Sequence, residues 1–336
     1  MGGADVPGDD DDGEATLPPH PTTIDSLLRE AARTPDDGVA RVPQTIGRYR
    51  VDAKLGAGGM GVVYAGHDPA LDRPVAIKLL RPRAVPRPEH DARLQREAQA
   101  LARIDHPNVV SIYDVVVHDG HVHLVMEHVR GATIDRVIAA RPHAPAEILA
   151  LFAAAGRGLA ATHAAGLVHR DFKPANVLVD ERGLVQVGDF GLAFATCADA
   201  DDDDDGVASV VSTRLTQPGA LAGTVAYMAP EQLAGEAVGP AADQFAFCVA
   251  LWEALAGQRP YAGESIDALR AAIAAGAITG CAGLSPRIER ALRRGLAAEP
   301  AARFPSMELL LAALAPLRPI ARPRWRLTWK RKPSRF

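Results

Sequence analysis

The stretch HRDFKPANVLVDERGLVQVGDFGLA, residues 169–193, sets the tetrapeptide Asp180-Glu181-Arg182-Gly183 between two apolar runs, VLV and LVQV. Turn residues between β-branched runs predict a hairpin. With the turn centred on Arg182, antiparallel pairing sets Val179 against Val185 and Asn176 roughly opposite Gly188, with Asp189 next along. Asp171 and Asn176 then precede the first strand and Asp189 follows the second, so oxygen-bearing side chains from the two ends converge. Any one of them alone reads as a turn or cap residue. Together they form a hard, oxygen-only set suited to Mg2+, which completes its shell with water and phosphate.

Upstream, LGAGGMGVVY, residues 55–64, contains Gly56-x-Gly58-x-x-Gly61. That motif alone is weak, because several nucleotide-binding folds share it. Here Val62 and Val63 run on into Tyr64, which favours strand-turn-strand over the strand-to-helix loop of a dinucleotide fold. Glycines in such a hairpin let backbone amides approach phosphate oxygens. Seventeen residues past Gly61 stands Lys78, ending the apolar strand Val75-Ala76-Ile77. A lysine at a strand end is ordinarily solvated. Glu97, beside the helical stripe Leu94, Ala98, Leu101 and Ile104, offers it an ionic partner, and a carboxylate near a packed helix face needs one.

The runs YRVDAKL, GVVYAGHD, PVAIKLL, VVSIYDVVV and HVHLVMEHV predict a small antiparallel sheet, interrupted by one helix over DARLQREAQALARI. Beyond Gly131, Ala- and Leu-rich stretches alternate with Gly and Pro breaks to about Pro316, and the hairpin alone interrupts a helical pattern. Residues 1–21 are rich in Gly, Pro and Asp and read as disordered, and TTIDSLLREAAR from Thr22 as a short helix. No fixed-period repeat is present. The insert ADADDDDDG, residues 198–206, reads as a flexible acidic loop.

At 336 residues and 48% hydrophobic content the chain can bury a large core. Its net charge of −4 is unevenly spread: residues 1–16 hold six acidic side chains, and residues 318–336 hold eight basic ones and no acidic ones. Cys197, Cys248 and Cys281, odd in number and widely spaced, fit neither a disulfide framework nor a metal knuckle and read as free thiols. The first residues carry no basic segment followed by an apolar run, and no stretch reaches the length of a spanning helix, so a cytoplasmic location is expected.

Taken in order, GAGGMGVVY, VAIK, Glu97, HRDFKPAN, DFG and MAPE resemble the eukaryotic-like serine/threonine protein kinases, in their bacterial branch, from about Gly47 to Leu317. The resemblance implies an α+β, bilobal protein-kinase fold: a small antiparallel sheet lobe with one helix over residues 47–129, and a larger, mainly helical lobe over 130–317. Residues 1–46 become an acidic, mostly disordered extension and 318–336 a basic tail. By the same likeness Asp171 accepts or orients the substrate hydroxyl, Lys173 meets the transferred phosphoryl group, Asn176 and Asp189 hold Mg2+, and Lys78, fixed by Glu97, engages the ATP phosphates. Thr224 orients Asp171 and Lys173. Leu55, Val63, Ala76 and Leu178 enclose adenine beneath the loop of Gly56, Gly58 and Gly61, Met126 is the gatekeeper, and the backbones of Glu127 and Val129 face the purine edge.

The implied activity is transfer of the γ-phosphoryl group of Mg-ATP, with Mn2+ as a substitute, to Ser or Thr hydroxyls of proteins, with autophosphorylation of the activation loop at Thr216, then Thr213 or Ser212. The alternatives are a nucleotide-binding pseudokinase scaffold and a small-molecule phosphotransferase. Lys173, the segment from Gly223 to Glu231, and a network of Asp243 bracing the catalytic loop with Glu231 paired to Arg303 favour a protein substrate. The six aspartates of the insert favour basic peptides, an effect that salt weakens. No nucleic acid is expected. The tail, with Thr328 between Trp325 and Trp329, suggests a pseudosubstrate or a membrane-surface segment, against simple disorder as the plainer reading. One departure stands out: Gly188 precedes Asp-Phe-Gly where a larger residue is familiar, which predicts a loosened turn.

Overall fold

The alternating runs of the first third pair into one antiparallel sheet. The computed structural model describes residues 42–58, 61–80, 96–119, 121–190, 225–263, 265–280 and 284–315. Strands β1 (Thr45–Ile46), β2 (Tyr49–Gly58), β3 (Gly61–Asp68), β4 (Arg73–Leu80), β5 (Ile112–His118) and β6 (His121–Glu127) lie in the order β1-β2-β3-β4-β6-β5. Gly58 pairs with Gly61, so the glycine-rich loop joins strand to strand and not strand to helix. Helix α1 covers residues 96–101 between β4 and β5.

The two sheet faces bury different clusters because side chains alternate along each strand. Ile46, Tyr49, Tyr64, Val75, Ile77 and Val125 pack on one face. On the other, Leu80, Val122 and Leu124 pack with Ala98 and Leu101 of α1 and with Phe190 from the second lobe. Glu97 of α1, next to buried Ala98, is half-buried.

The second lobe opens with a strand that the sequence pattern did not suggest. β7 (Gly131–Thr133) pairs with β8 (Val177–Asp180), which pairs with β9 (Val185–Val187), giving three strands where the sequence predicts a two-stranded hairpin. Gly131 permits the contact: a Cβ there would stand 1.9 Å from the carbonyl oxygen of Val179. The register of β8 and β9 is the expected one, Val179 opposite Val185 and Val177 opposite Val187. The Gly188 amide donates to the Asn176 carbonyl at 2.9 Å. Asp180 holds the turn, its Oδ1 accepting the amides of Arg182 (2.8 Å) and Leu184 (2.7 Å), and Gly183 supplies a left-handed φ of 86°.

Around this sheet lie helices α2 (Ile134–Ala139), α3 (Pro145–Ala164), α4 (Pro230–Ala234), α5 (Pro240–Ala256), α6 (Ile266–Ala274), α7 (Pro286–Gly295) and α8 (Met307–Leu314). Every residue of α5 from Ala242 to Trp252 is buried, so it is the axis of the lobe, with α3, α7 and α8 packed around it. Cys248 on this helix is a free, buried thiol, pushed well above its usual range by burial. Among the described residues no helix is long and apolar enough to cross a membrane. The expected helix from Thr22, the aspartate insert, the basic tail with Thr328, Cys197 and Cys281 lie outside the described residues.

Candidate active site

The loop between α3 and β8 is built on one carboxylate. Asp243, in the first turn of α5 and 1% exposed, accepts the amides of His169 and Arg170, each at 2.8 Å, and the Nε2–H of His163 at 2.8 Å. Three donors satisfy a charge that would otherwise be costly in the core. Arg170 is thereby held at φ 63°, a conformation that a non-glycine residue keeps only when its surroundings enforce it. The Nε2–H of buried His169 donates to the Gly188 carbonyl at 2.9 Å, and its ring lies 4.8 Å from that of Phe190. One histidine therefore fastens the loop carrying Asp171 to the segment carrying Asp189.

Asp171, 5% exposed, is oriented by its own loop: Oδ2 accepts Lys173 Nζ at 2.9 Å and Asn176 Nδ2 at 3.0 Å. The same Asn176 nitrogen also donates to the Asp171 carbonyl at 2.8 Å, which leaves the Asn176 amide oxygen as its open donor atom toward a cation. Across the cleft, Lys78 on β4 is 3% exposed and its ammonium donates directly to Asp189 Oδ1. Burial alone would raise the Asp189 carboxyl; the ammonium of Lys78 outweighs it and holds the group below the ordinary carboxylate range, with Lys173 and His169 adding to the effect. Asp189 has φ 58°, so it too occupies an enforced left-handed backbone.

The structure brings Lys78, Asp189, Asp171, Lys173 and Asn176 into one linked array. Among the described residues no three His, Cys, Asp or Glu side chains form a ready metal cage. Mg2+ keeps several waters and takes phosphate oxygens, so the Asp189 carboxylate and the Asn176 amide oxygen suit it as the protein's share of a shell.

Strand register sorts the expected adenine residues. Val63 lies opposite Lys78, and Ala76 opposite Met126, so Val63, Ala76, Lys78 and Met126 share the inner sheet face. Gly56 pairs with Val63, with Leu55 preceding it in β2. Leu178 comes from β8 in the other lobe, Glu127 ends β6, and Val129 lies in the connection that follows it. Thr224, Thr216, Thr213 and Ser212 lie outside the described residues.

The supporting network is deeply buried. Arg303, 1% exposed, makes a bidentate pair with Glu231, 4% exposed, at 2.6 and 2.8 Å, and donates to the carbonyls of Ala241, Ala297 and Ala298. Gln232, next to Glu231, donates to the Arg170 carbonyl at 2.8 Å and so links this network to the catalytic loop. The space beside Gly188 is filled by Val110: a Cβ on the glycine would stand 2.9 Å from Val110 Cγ2, so the small residue is matched by a neighbour and the turn is not left open.

Sequence reasoning missed three contacts here. They are His163 on Asp243, Gln186 Nε2 donating to Glu127 Oε2 at 2.8 Å, and Tyr227 donating to Glu253 at 2.6 Å. Each joins side chains distant in the chain, and no spacing or periodicity announces them.

Comparison with known proteins agrees with this geometry. The family model described as "Protein kinase domain" matches residues 49–309. The chain is 39% identical over 220 residues to serine/threonine-protein kinase PrkC of Bacillus subtilis, covering 65% of this chain and 32% of that protein. It is 38% identical over 219 residues to serine/threonine-protein kinase PknL of Mycobacterium tuberculosis, covering 65% and 51%. The chain therefore spans from about a third to about half the length of these relatives. Among solved structures, the Mycobacterium tuberculosis PknI kinase domain aligns with a TM-score of 0.59 and 29% identity, over 82% of this chain and 98% of that one.

Proposed function

The chain belongs to the protein kinase family, in its bacterial serine/threonine branch, and we propose that it transfers the γ-phosphoryl group of Mg-ATP to Ser or Thr hydroxyls of proteins. The observation that carries this reading is the meeting of Lys78 from the sheet lobe with Asp189 from the helical lobe, beside an Asp171 oriented by Lys173 and Asn176. Asn176 and Asp189 would hold Mg2+, which when bound supplies positive charge against the phosphates. Asp171 would take or orient the hydroxyl proton, its Oδ2 already set by two donors. Lys173, bonded to the same carboxylate, would stabilise the charge of the transferred group electrostatically. Lys78 would exchange Asp189 for phosphate oxygens when nucleotide is bound. Autophosphorylation, with Thr216 as the favoured acceptor, and a preference for basic peptides belong to the same proposal.

The test is transfer of labelled γ-phosphate. Wild type should label itself or a protein substrate, while Asp171→Asn should fall by about 10^2–10^4-fold, the range supplied by a positioned base. Binding of nucleotide with no label transferred by wild type would instead indicate a scaffold. Label appearing in a metabolite and in no peptide would indicate a small-molecule phosphotransferase.

A further inference from the structure

Among the described residues, several bonds besides Lys78–Asp189 join the two lobes, and one of them ties β9 directly to the end of β6. Gln186 lies in the middle of β9, 4% exposed, three residues before Asp189, and its Nε2 donates at 2.8 Å to the carboxylate of Glu127, the last residue of β6. The backbone around it is stitched to the same place. Segment 108–111 runs between them: Asn108 accepts the Val187 amide (2.9 Å), Val110 donates to the Val187 carbonyl (2.9 Å), and the Ser111 carbonyl accepts the Glu127 amide (2.9 Å). Buried Asn108 adds a side-chain bond to the Val185 carbonyl at 2.7 Å and accepts Arg157 Nε of α3 at 3.3 Å. Gln186 and Glu127 thus close a ring whose other links are main-chain bonds. A bond to a charged partner at a part-buried site is stronger than one between neutral groups.

We infer that Gln186 is a positioning residue, an interlobe strut that resists opening of the cleft and so limits the escape of bound nucleotide. The reasoning is mechanical. The connection after Glu127 carries the expected adenine edge, and the strand carrying Gln186 continues into Asp189, so moving the end of β6 away from β9 must strain or break this bond. This inference rests on the nucleotide-binding reading above, and its test separates the two.

Three full-length variants suffice: Gln186→Leu removes the donor, Gln186→Glu sets two carboxylates face to face, and Gln186→Glu with Glu127→Gln exchanges the partners and restores a donor. In ligand-free protein, amide hydrogen exchange at Val187 and Glu127 should quicken in Gln186→Leu and Gln186→Glu and return toward wild type in the exchanged pair. Release of a fluorescent ADP should quicken by about tenfold in the two single variants, the factor that corresponds to one charge-assisted bond, and recover in the exchanged pair. Recovery by exchange ties both effects to the bond between the two side chains and not to either one alone. Unchanged exchange at Val187 and Glu127 in both single variants would overturn the strut. So would an exchanged pair that releases ADP as fast as Gln186→Glu. If wild type fails to bind ADP at all, the nucleotide reading falls, while the hydrogen-exchange arm still decides the strut.

Discussion

Replacing Glu231 by alanine should destabilise the helical lobe more than almost any other single change. Arg303 is 1% exposed, and its guanidinium is met by two carboxylate oxygens and three carbonyls. The carbonyls remain in the variant, but the countercharge is gone, and an uncompensated buried charge costs about 3–5 kcal/mol. At about 2–4 °C per kcal/mol for a domain of this size, the melting temperature should fall by roughly 10 °C. Arg303→Met should cost a similar amount, because it strands the buried carboxylate. Combining Arg303→Met with Glu231→Leu should cost well under the sum, since an apolar pair of similar bulk can replace a buried ion pair. Thermal and urea melts of wild type, Glu231→Ala, Glu231→Leu, Arg303→Met and the double variant measure this, with Glu231→Leu closing the cycle. A loss below about 1 kcal/mol for Glu231→Ala, the worth of an exposed pair, would refute the argument. So would strict additivity in the cycle.

Gly188→Ala should cost about 1–3 kcal/mol in urea unfolding by overpacking against Val110, and Val110→Ala in the same chain should recover most of it. Asp189, whose carboxyl is depressed in the folded protein, contributes stability that is full above the unfolded value near ~3.9 and is lost as pH falls through the folded one. Asp189→Asn should therefore flatten the melting-temperature curve below about pH 4, and an unchanged acid limb would count against the Lys78 contact. Chelation should abolish label transfer by wild type, with Mg2+ or Mn2+ restoring it and Ca2+ failing. Full transfer in chelator would remove the metal from the proposal.

How far the sequence foretold this molecule depended on how local each determinant is. The β8–β9 register was legible because Asp180 and Gly183 fix the turn within five residues, and alternation then dictates every pair beyond it. β7 was not, since three residues are too few to show alternation and its contact depends on Gly131 approaching Val179. Helix α5 shows no apolar stripe to read because it is buried on all sides. For the site, Asp171, Asn176 and Asp189 could be placed from the hairpin, whereas the partnership of Gln186 with Glu127 appears only when two distant strands are brought together. The buried character of the Glu231–Arg303 pair was a condition that the sequence could set but not meet by itself.

The attachment of Asp243 gives the molecule a fixed frame. Its helix is enclosed along eleven consecutive residues, from Ala242 to Trp252, and its carboxylate grips the amides just ahead of Asp171. The Asp171 carboxylate is thus anchored to the most enclosed helix of the lobe, as a workpiece is clamped to the bed of a lathe. On the proposed activity, whatever travel turnover requires would fall to the sheet lobe, bringing Lys78 toward a stationary Asp171.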